Sequence, residues 1–426
     1  MKARSVITLF ATAYVLSFVD RQILALLIGP VKADLGLSDF QFALLNGLAF
    51  ALFYSVLGLP VAALADRMPR PPILASGVAL WSVATIGCGF SSNFWQLFAC
   101  RTCVGIGEAA LVPAVYSFLA DIVPPARLGR TLALFSLGSF VGAGLAFLCG
   151  GMVLAALHDA TSWHGIAGWK LCFMAVGLPG LPLALSIALG VREPAGRVYA
   201  QTGHAAGPNP SAWAAPRYMA RHWKFFTLHF LGYSCTAIIL FSLMSWTPAL
   251  LGRGRHFSHQ DVGLVMGLIA IVCGCGGVYT SGRLIDLLAS RGHADAPARV
   301  GLTGAVAAPL FLLAALSMSA NVAFVLLLAV AFFFASFPMP PSALVVQQRV
   351  PKALRAQFSA TLLLCNAMIG LSGGSMLIGY LDDHVFRTAG GVASSLGWVV
   401  AGAAVVSALC IAATRPYLRN PEPANG

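Results

Sequence analysis

The sequence predicts an all-α integral membrane protein of about twelve spanning helices, arranged as two pseudo-symmetric six-helix bundles. Three observations lead there. Of the 426 residues, 58% are hydrophobic and only 9% are charged, with a mean hydropathy of +0.83, a balance foreign to soluble chains of this size. Apolar stretches of about 20 residues, the length needed to cross a bilayer, recur along almost the whole chain. One long segment poor in large aliphatic residues divides them near the middle, with an echo of one sequence pattern on either side.

The first span falls near residues 5–29. Met1-Lys2-Ala3-Arg4 with Ala11-Thr12-Ala13 has the outline of a secretory signal, but the apolar run continues well past it and contains Asp20-Arg21, which marks a retained span. Spans two to four follow near 40–64, 72–92 and 94–120. Span five, near 131–157, carries Gly138, Gly142, Gly144, Gly150 and Gly151, where neighbouring helices can approach closely. Span six lies near 168–191. The segment after it is rich in Gly, Pro, Ala and Arg and reads as a linker. The expected domains are therefore a bundle over 1–191, a linker over 192–221 and a bundle over 222–426. Spans seven to twelve are expected near 224–250, 261–284, 299–318, 321–346, 356–380 and 391–414, with Pro338, Pro340 and Pro341 bending the tenth. The echo is Leu64-Ala65-Asp66-Arg67-Met68-Pro69-Arg70 after span two and Gly282-Arg283-Leu284-Ile285-Asp286, with Arg291 close behind, after span eight. Two parallel six-helix halves are an architecture of secondary transporters.

Nineteen of the 26 Lys and Arg residues lie at the two termini or in the even-numbered loops, against five on the opposite side: Lys32, Lys170, Arg253, Arg255 and Arg387. The positive-inside rule then places both termini in the cytoplasm of a cell (inner) membrane protein. The same tally accounts for the net charge of +12 without a nucleic-acid partner. All ten cysteines fall within spans, which argues against a disulfide framework. The sequence holds no Walker-type nucleotide loop, and no cofactor is expected.

Arg21 and Arg101 complete the basic residues, and both lie inside spans together with Asp20 and Glu108. Charge at membrane depth is expensive and is the default mark of a functional site. Arg101 and Glu108 are seven residues apart, about two helical turns, so they share one face roughly 10 Å apart along the axis. Gly105 and Gly107 lie between them. Asp20 and Glu108 are the candidates to load and release a proton as Arg21 or Arg101 pairs and unpairs with them; the alternative is a static ion-pair network holding the helices in register. Arg101 is also a candidate fork for an anionic head group. The second half has no formal charge deep in its spans; its polar inventory includes Tyr233, Ser234 and Thr236 in span seven and Asn366 in span eleven, a wall suited to an amphiphile. Tyr233 and Asn366 are the candidate substrate contacts there, with cross-helix hydrogen bonding as the alternative. His229 reads as a packing residue.

The Asp66-Arg67-x-x-Arg70 loop resembles the signature between spans two and three of the major facilitator superfamily, with Ala62 and Pro69 where glycines are common. Val19-Asp20-Arg21 and Arg101-x-x-x-Gly105-Ile106-Gly107-Glu108-Ala109, followed by Asp121 and Arg130, resemble its spinster-like branch. The resemblance implies the major facilitator fold and alternating access. It also implies a cytoplasmic latch of Asp66, Arg67, Arg70 and Asp121, with a solvated, topology-setting charge cluster as the alternative, and a lysophospholipid or sphingoid-type lipid as cargo. The function expected is a proton-coupled secondary active transporter of a small amphiphilic or anionic organic substrate. An uncoupled facilitator, or a drug or organic-anion exporter of the same fold, is the alternative. Partners are then a small-molecule or lipid substrate, protons and membrane lipids. A membrane channel or receptor is the alternative from another class, although channels usually reveal a filter repeat; an intramembrane enzyme would need a nucleophile–base or metal constellation, which the spans do not contain.

Overall fold

The computed structural model describes residues 3–157, 166–194, 214–351, 354–387 and 390–419. Most of the expected linker, and the side chains of Asp66 and Arg67, lie outside the described residues. Every regular element among the described residues is a helix. Eleven of them are long and apolar enough to cross a membrane. The expected second span runs as a continuous helical path from Asp39 to Arg67, through Asp39–Ala43, a π-helical turn at Leu44–Leu48 and Ala49–Arg67. The all-α, multi-span architecture expected from composition is the one found.

The chain forms two compact units, one of Met1–Asn209 with Phe257–Gly267 and one of Pro210–His256 with Leu268–Gly426. In the first, Phe10, Phe42, Phe118, Phe147 and Phe173 are fully enclosed between helices. In the second, Phe226, Phe230, Tyr233 and Phe358 form the heart of an aromatic core. Lipid tails are as apolar as these side chains, so close packing rather than water exclusion must hold the helices together. Gly142 of span five meets this need: a Cβ there would collide with the Val15 carbonyl and come within 2.7 Å of the Phe18 Cβ. Spans one and five therefore touch backbone to backbone at the level of the first-half charges.

Two spans are interrupted where the sequence withholds a backbone donor. Span four is two helices, Phe94–Glu108 and Leu111–Ile122. Pro113 has no N–H to give the carbonyl of Ala109, so the break falls one residue beyond Glu108. Span ten breaks at the expected prolines, between Asn321–Ala335 and Met339–Arg349. Span eleven passes through a π-helical stretch at Asn366–Gly373, between Arg355–Cys365 and Gly374–His384. Such widened turns often stand at functional positions.

Candidate functional site

Asp20 and Arg21 follow one another in span one and project in different directions, each finding a partner on span four. The Arg21 Nε and Nη2 both lie 2.6 Å from Glu108 Oε2. The Arg101 Nη1 lies 3.2 Å from Asp20 Oδ1 and 3.3 Å from the Asp20 carbonyl oxygen. The Thr85 hydroxyl of span three donates to the other Asp20 oxygen. Asp20, Arg101 and Glu108 are 2%, 1% and 0% exposed, whereas the Arg21 side chain retains 16%. The two pairs are thus unlike: Asp20 is held at both oxygens, while Glu108 has one oxygen on Arg21 and its Oε1 has no hydrogen-bond partner among the described residues.

Three aromatic rings surround the Arg21 guanidinium, with Phe50 at 4.4 Å, Tyr54 at 4.6 Å and Phe18 at 4.7 Å from its centre. Ring faces stabilise a cation that water no longer reaches, by about 2 kcal/mol when desolvated. They let Arg21 remain charged at depth with only one carboxylate oxygen as its ionic partner. Gly105 and Gly107 bring the neighbours in. A Cβ at Gly105 would lie 2.5 Å from the Phe50 carbonyl oxygen, and one at Gly107 would lie 2.7 Å from both the Gly77 carbonyl oxygen and the Trp81 nitrogen. The two glycines face different helices, spans two and three, and draw both against span four beside the charges.

The structure brings Asp20, Arg21, Arg101 and Glu108 into one cluster and assigns the pairs: Arg21 with Glu108, Arg101 with Asp20. Sequence reasoning left open which arginine serves Glu108, and it missed Thr85, Phe18, Phe50 and Tyr54. A threonine or an aromatic in an apolar span carries no signal of its own until its register against a charge is known.

In the second unit, the Ser234 hydroxyl donates to Asn366 Oδ1 at 3.2 Å. Asn366 is partly exposed and opens the π-helical stretch of span eleven. Tyr233 is 2% exposed and turned into the aromatic core, with its hydroxyl 2.6 Å from where a Gly301 Cβ would be. It stands 4.7 Å, ring to ring, from His229. His229 is a packing residue as expected, its Nε2 lying 3.0 Å from the Ser342 carbonyl oxygen.

Of the four residues expected in the latch, Arg70 and Asp121 meet. Arg70 is fully buried and donates from Nη2 to Asp121 Oδ2 at 2.5 Å, from Nη1 to Ser117 at 2.9 Å and from Nε to Glu193 Oε1 at 2.8 Å. Its backbone N–H also donates to Glu193, at 2.8 Å. Glu193 was not anticipated, although an acid just after span six in an otherwise basic segment is visible in the sequence. Asp66 and Arg67 have no described side chains. The second unit has a counterpart of opposite sign. Asp295, at the start of span nine, accepts from the Nε of Arg299, Arg415 and Arg419 at 2.9, 2.8 and 3.0 Å. Burial pushes its carboxyl up, but hydrogen bonds from Arg415, Arg419 and Arg299 outweigh this and hold it at about 2.

A many-helix membrane bundle with ion pairs in its interior is the class of protein that the fold and site define. The chain belongs to the Major Facilitator Superfamily, whose family model matches residues 10–375. It is 29% identical to an MFS-type efflux pump of Mycolicibacterium smegmatis, over 96% of this chain and 92% of that one. It is 28% identical to human protein spinster homolog 1, over 90% and 74%. A probable sphingolipid transporter, spinster homolog 2 of Arabidopsis thaliana, is 26% identical over 83% and 72%. Among solved structures it resembles an inward-facing, unoccupied bacterial homologue of the human lysosomal transporter spinster, with a TM-score of 0.81, 25% identity and full coverage of both chains. The spinster resemblance drawn from the span-one and span-four motifs agrees with these relatives. The protein is a multi-pass membrane transporter and not an enzyme.

Proposed function

We propose that this protein is a proton-coupled secondary active transporter that moves an amphiphilic or anionic organic substrate, a lysophospholipid or sphingoid-type lipid, by alternating access. One observation carries the reading. Two buried carboxylates are each held by an arginine of the other helix, Glu108 of span four by Arg21 of span one and Asp20 of span one by Arg101 of span four, and the less completely satisfied carboxylate, Glu108, is paired with the more exposed of these two arginines. A substrate acid or phosphate that engages Arg21 competes with Glu108 for the same guanidinium fork. A desolvated carboxylate deprived of its cation takes up a proton. Substrate binding and protonation of Glu108 are thereby linked without any cofactor. Asp20, held by Arg101 and Thr85, is the second proton-handling acid, and Arg101 is the deeper anchor for a head group.

Asn366, partly exposed and bonded to Ser234, and Tyr233 are the neutral polar substrate contacts of the second unit. The Arg70–Asp121 contact, together with Asp66 and Arg67, acts as the latch that favours one facing of the transporter. The domains read as 1–191 and 222–426 joined by 192–221. Both termini lie in the cytoplasm of the cell (inner) membrane, which the nineteen-to-five distribution of Lys and Arg supports.

Reconstituted protein with an imposed pH gradient tests this. Glu108→Gln should lose uphill accumulation while retaining substrate-induced thermal stabilisation; uphill transport at the parental rate would remove Glu108 from coupling. A thermal-shift screen of lysolipids, sphingoid bases, organic anions and hydrophobic drugs at two pH values identifies the cargo, since a ligand linked to protonation stabilises unequally at the two. A second reading, export of hydrophobic drugs, is favoured by the likeness to an efflux pump over 96% of the chain. It predicts stabilisation by drugs and none by lysolipids.

A further inference from the structure

Spans three and four are joined by a short, tightly bonded connection. The N–H groups of Gly89, Phe90 and Ser91 donate to the carbonyls of Ile86, Gly87 and Cys88, and Asn93 caps the next helix by accepting from the Gln96 N–H at 3.0 Å. This rigid turn sets Cys88 of span three against Cys100 of span four. Their thiols share a hydrogen bond, and the Ser91 hydroxyl also reaches Cys100. The Cys100 sulfur also lies against the residue that precedes Cys88: a Cβ on Gly87 would be 3.2 Å from it. Cys88 is buried and Cys100 partly exposed, and both are free thiols. They lie toward the ends of their spans opposite the basic loops, the side that is oxidising if those loops are cytoplasmic.

We propose that Cys88 and Cys100 are a redox-active dithiol, a modification site at which a hydroperoxide closes a disulfide between spans three and four. Attack of the Cys100 sulfur on the peroxide breaks the O–O bond, leaves Cys100 as a sulfenic acid and releases the alcohol of the hydroperoxide, or water when the oxidant is hydrogen peroxide, which carries the thiol proton. Attack of the Cys88 sulfur on the sulfenic sulfur forms the S–S bond and expels water. The two thiols lose two electrons and two protons, and the peroxide accepts both. Cys100 is the entry point because it is the reachable partner; Cys88 resolves. The cross-link lies beside the first-half charges, since Thr85 is one turn before Cys88 and Arg101 follows Cys100, and both hold Asp20. Closing the disulfide fixes these two supports of Asp20 relative to each other.

The test uses full-length wild-type protein in phosphatidylcholine nanodiscs, treated with hydrogen peroxide, alkylated and mapped by mass spectrometry. A Cys88–Cys100 linked peptide should form, with loss of maleimide labelling at both positions and recovery with dithiothreitol. Cys88→Ser should trap Cys100 as a dimedone-reactive sulfenic acid, and Cys100→Ser should leave Cys88 reduced. The proposal is overturned if oxidation of wild type stops at Cys100 with Cys88 still a free thiol, if Cys100 pairs with Cys103, or if folded protein loses no label at either residue. The wild-type mapping decides even if a serine variant does not fold.

Discussion

In the first unit the interior polarity is ionic, with Asp20, Arg21, Arg101 and Glu108 paired at membrane depth; in the second it is hydroxyl and amide, with Ser234 bonded to Asn366. The difference is one of physical kind. An ion pair away from water is a two-state object whose partners can be exchanged by a proton or an anion, whereas a neutral hydrogen bond offers complementarity with little to switch. The ends of the units repeat the contrast in mirrored charge. The first closes around a buried arginine ringed by Asp121, Ser117 and Glu193. The second closes around a buried aspartate ringed by three arginines. Arg70 opens span three and Asp295 precedes span nine; Glu193 follows span six and Arg415 ends span twelve. Each unit thus holds one buried charge within a ring of partners, with the signs exchanged between the two.

Breaking the ionic interior should have the largest effect. Arg101→Ala leaves Asp20 buried without its cation and should cost about 3–5 kcal/mol, read as a lowered thermal midpoint in detergent. Replacing the pair together, as Asp20→Asn with Arg101→Met, should recover much of that loss, because no uncompensated charge remains. Next is the packing that brings the charges together. Gly107→Val drives a branched side chain into the Gly77 carbonyl and the Trp81 nitrogen, each 2.7 Å from its Cβ, and should cost about 1–3 kcal/mol. Gly282→Val, in the second half with nothing near its Cβ, should cost less than Gly107→Val in the same assay.

A smaller effect sharpens the neutral side of the comparison. Asn366→Ala removes one hydrogen bond to Ser234 and should cost about 1 kcal/mol, with weaker substrate stabilisation and pH-coupled transport retained. The last expected outcome is a pH dependence and concerns the mirrored clamp. Because the Asp295 carboxyl is held at about 2, below its unfolded value of about 3.9, its contribution is fully present above about pH 4 and is lost as pH falls toward 2. The stability difference between wild type and Asp295→Asn should therefore be flat from pH 5 to 8 and shrink only in acid, as followed by thermal unfolding across that range. A difference that changed between pH 6 and 8 would mean that the three arginines do not hold it.

Composition and periodic recurrence of apolar segments were enough to define the helical membrane fold, because a bilayer permits few solutions and penalises every unsatisfied backbone group. The same penalty made Asp20, Arg21, Arg101 and Glu108 legible: charge in an apolar run stands out without any knowledge of its neighbours. The break at Pro338–Pro341 was equally readable, since proline lacks the donor a helix needs; the one beside Pro113, open to the same argument, was not anticipated. The pairing of Arg21 with Glu108 and Arg101 with Asp20, the aromatic cage, Thr85, Glu193 and the Asp295 clamp were decided only by tertiary structure. Each depends on which face one helix turns toward another across tens to more than a hundred residues of chain, and that rotation follows from backbone contacts at Gly105, Gly107 and Gly142, where what matters is the shape of the neighbour and not the identity of the residue alone.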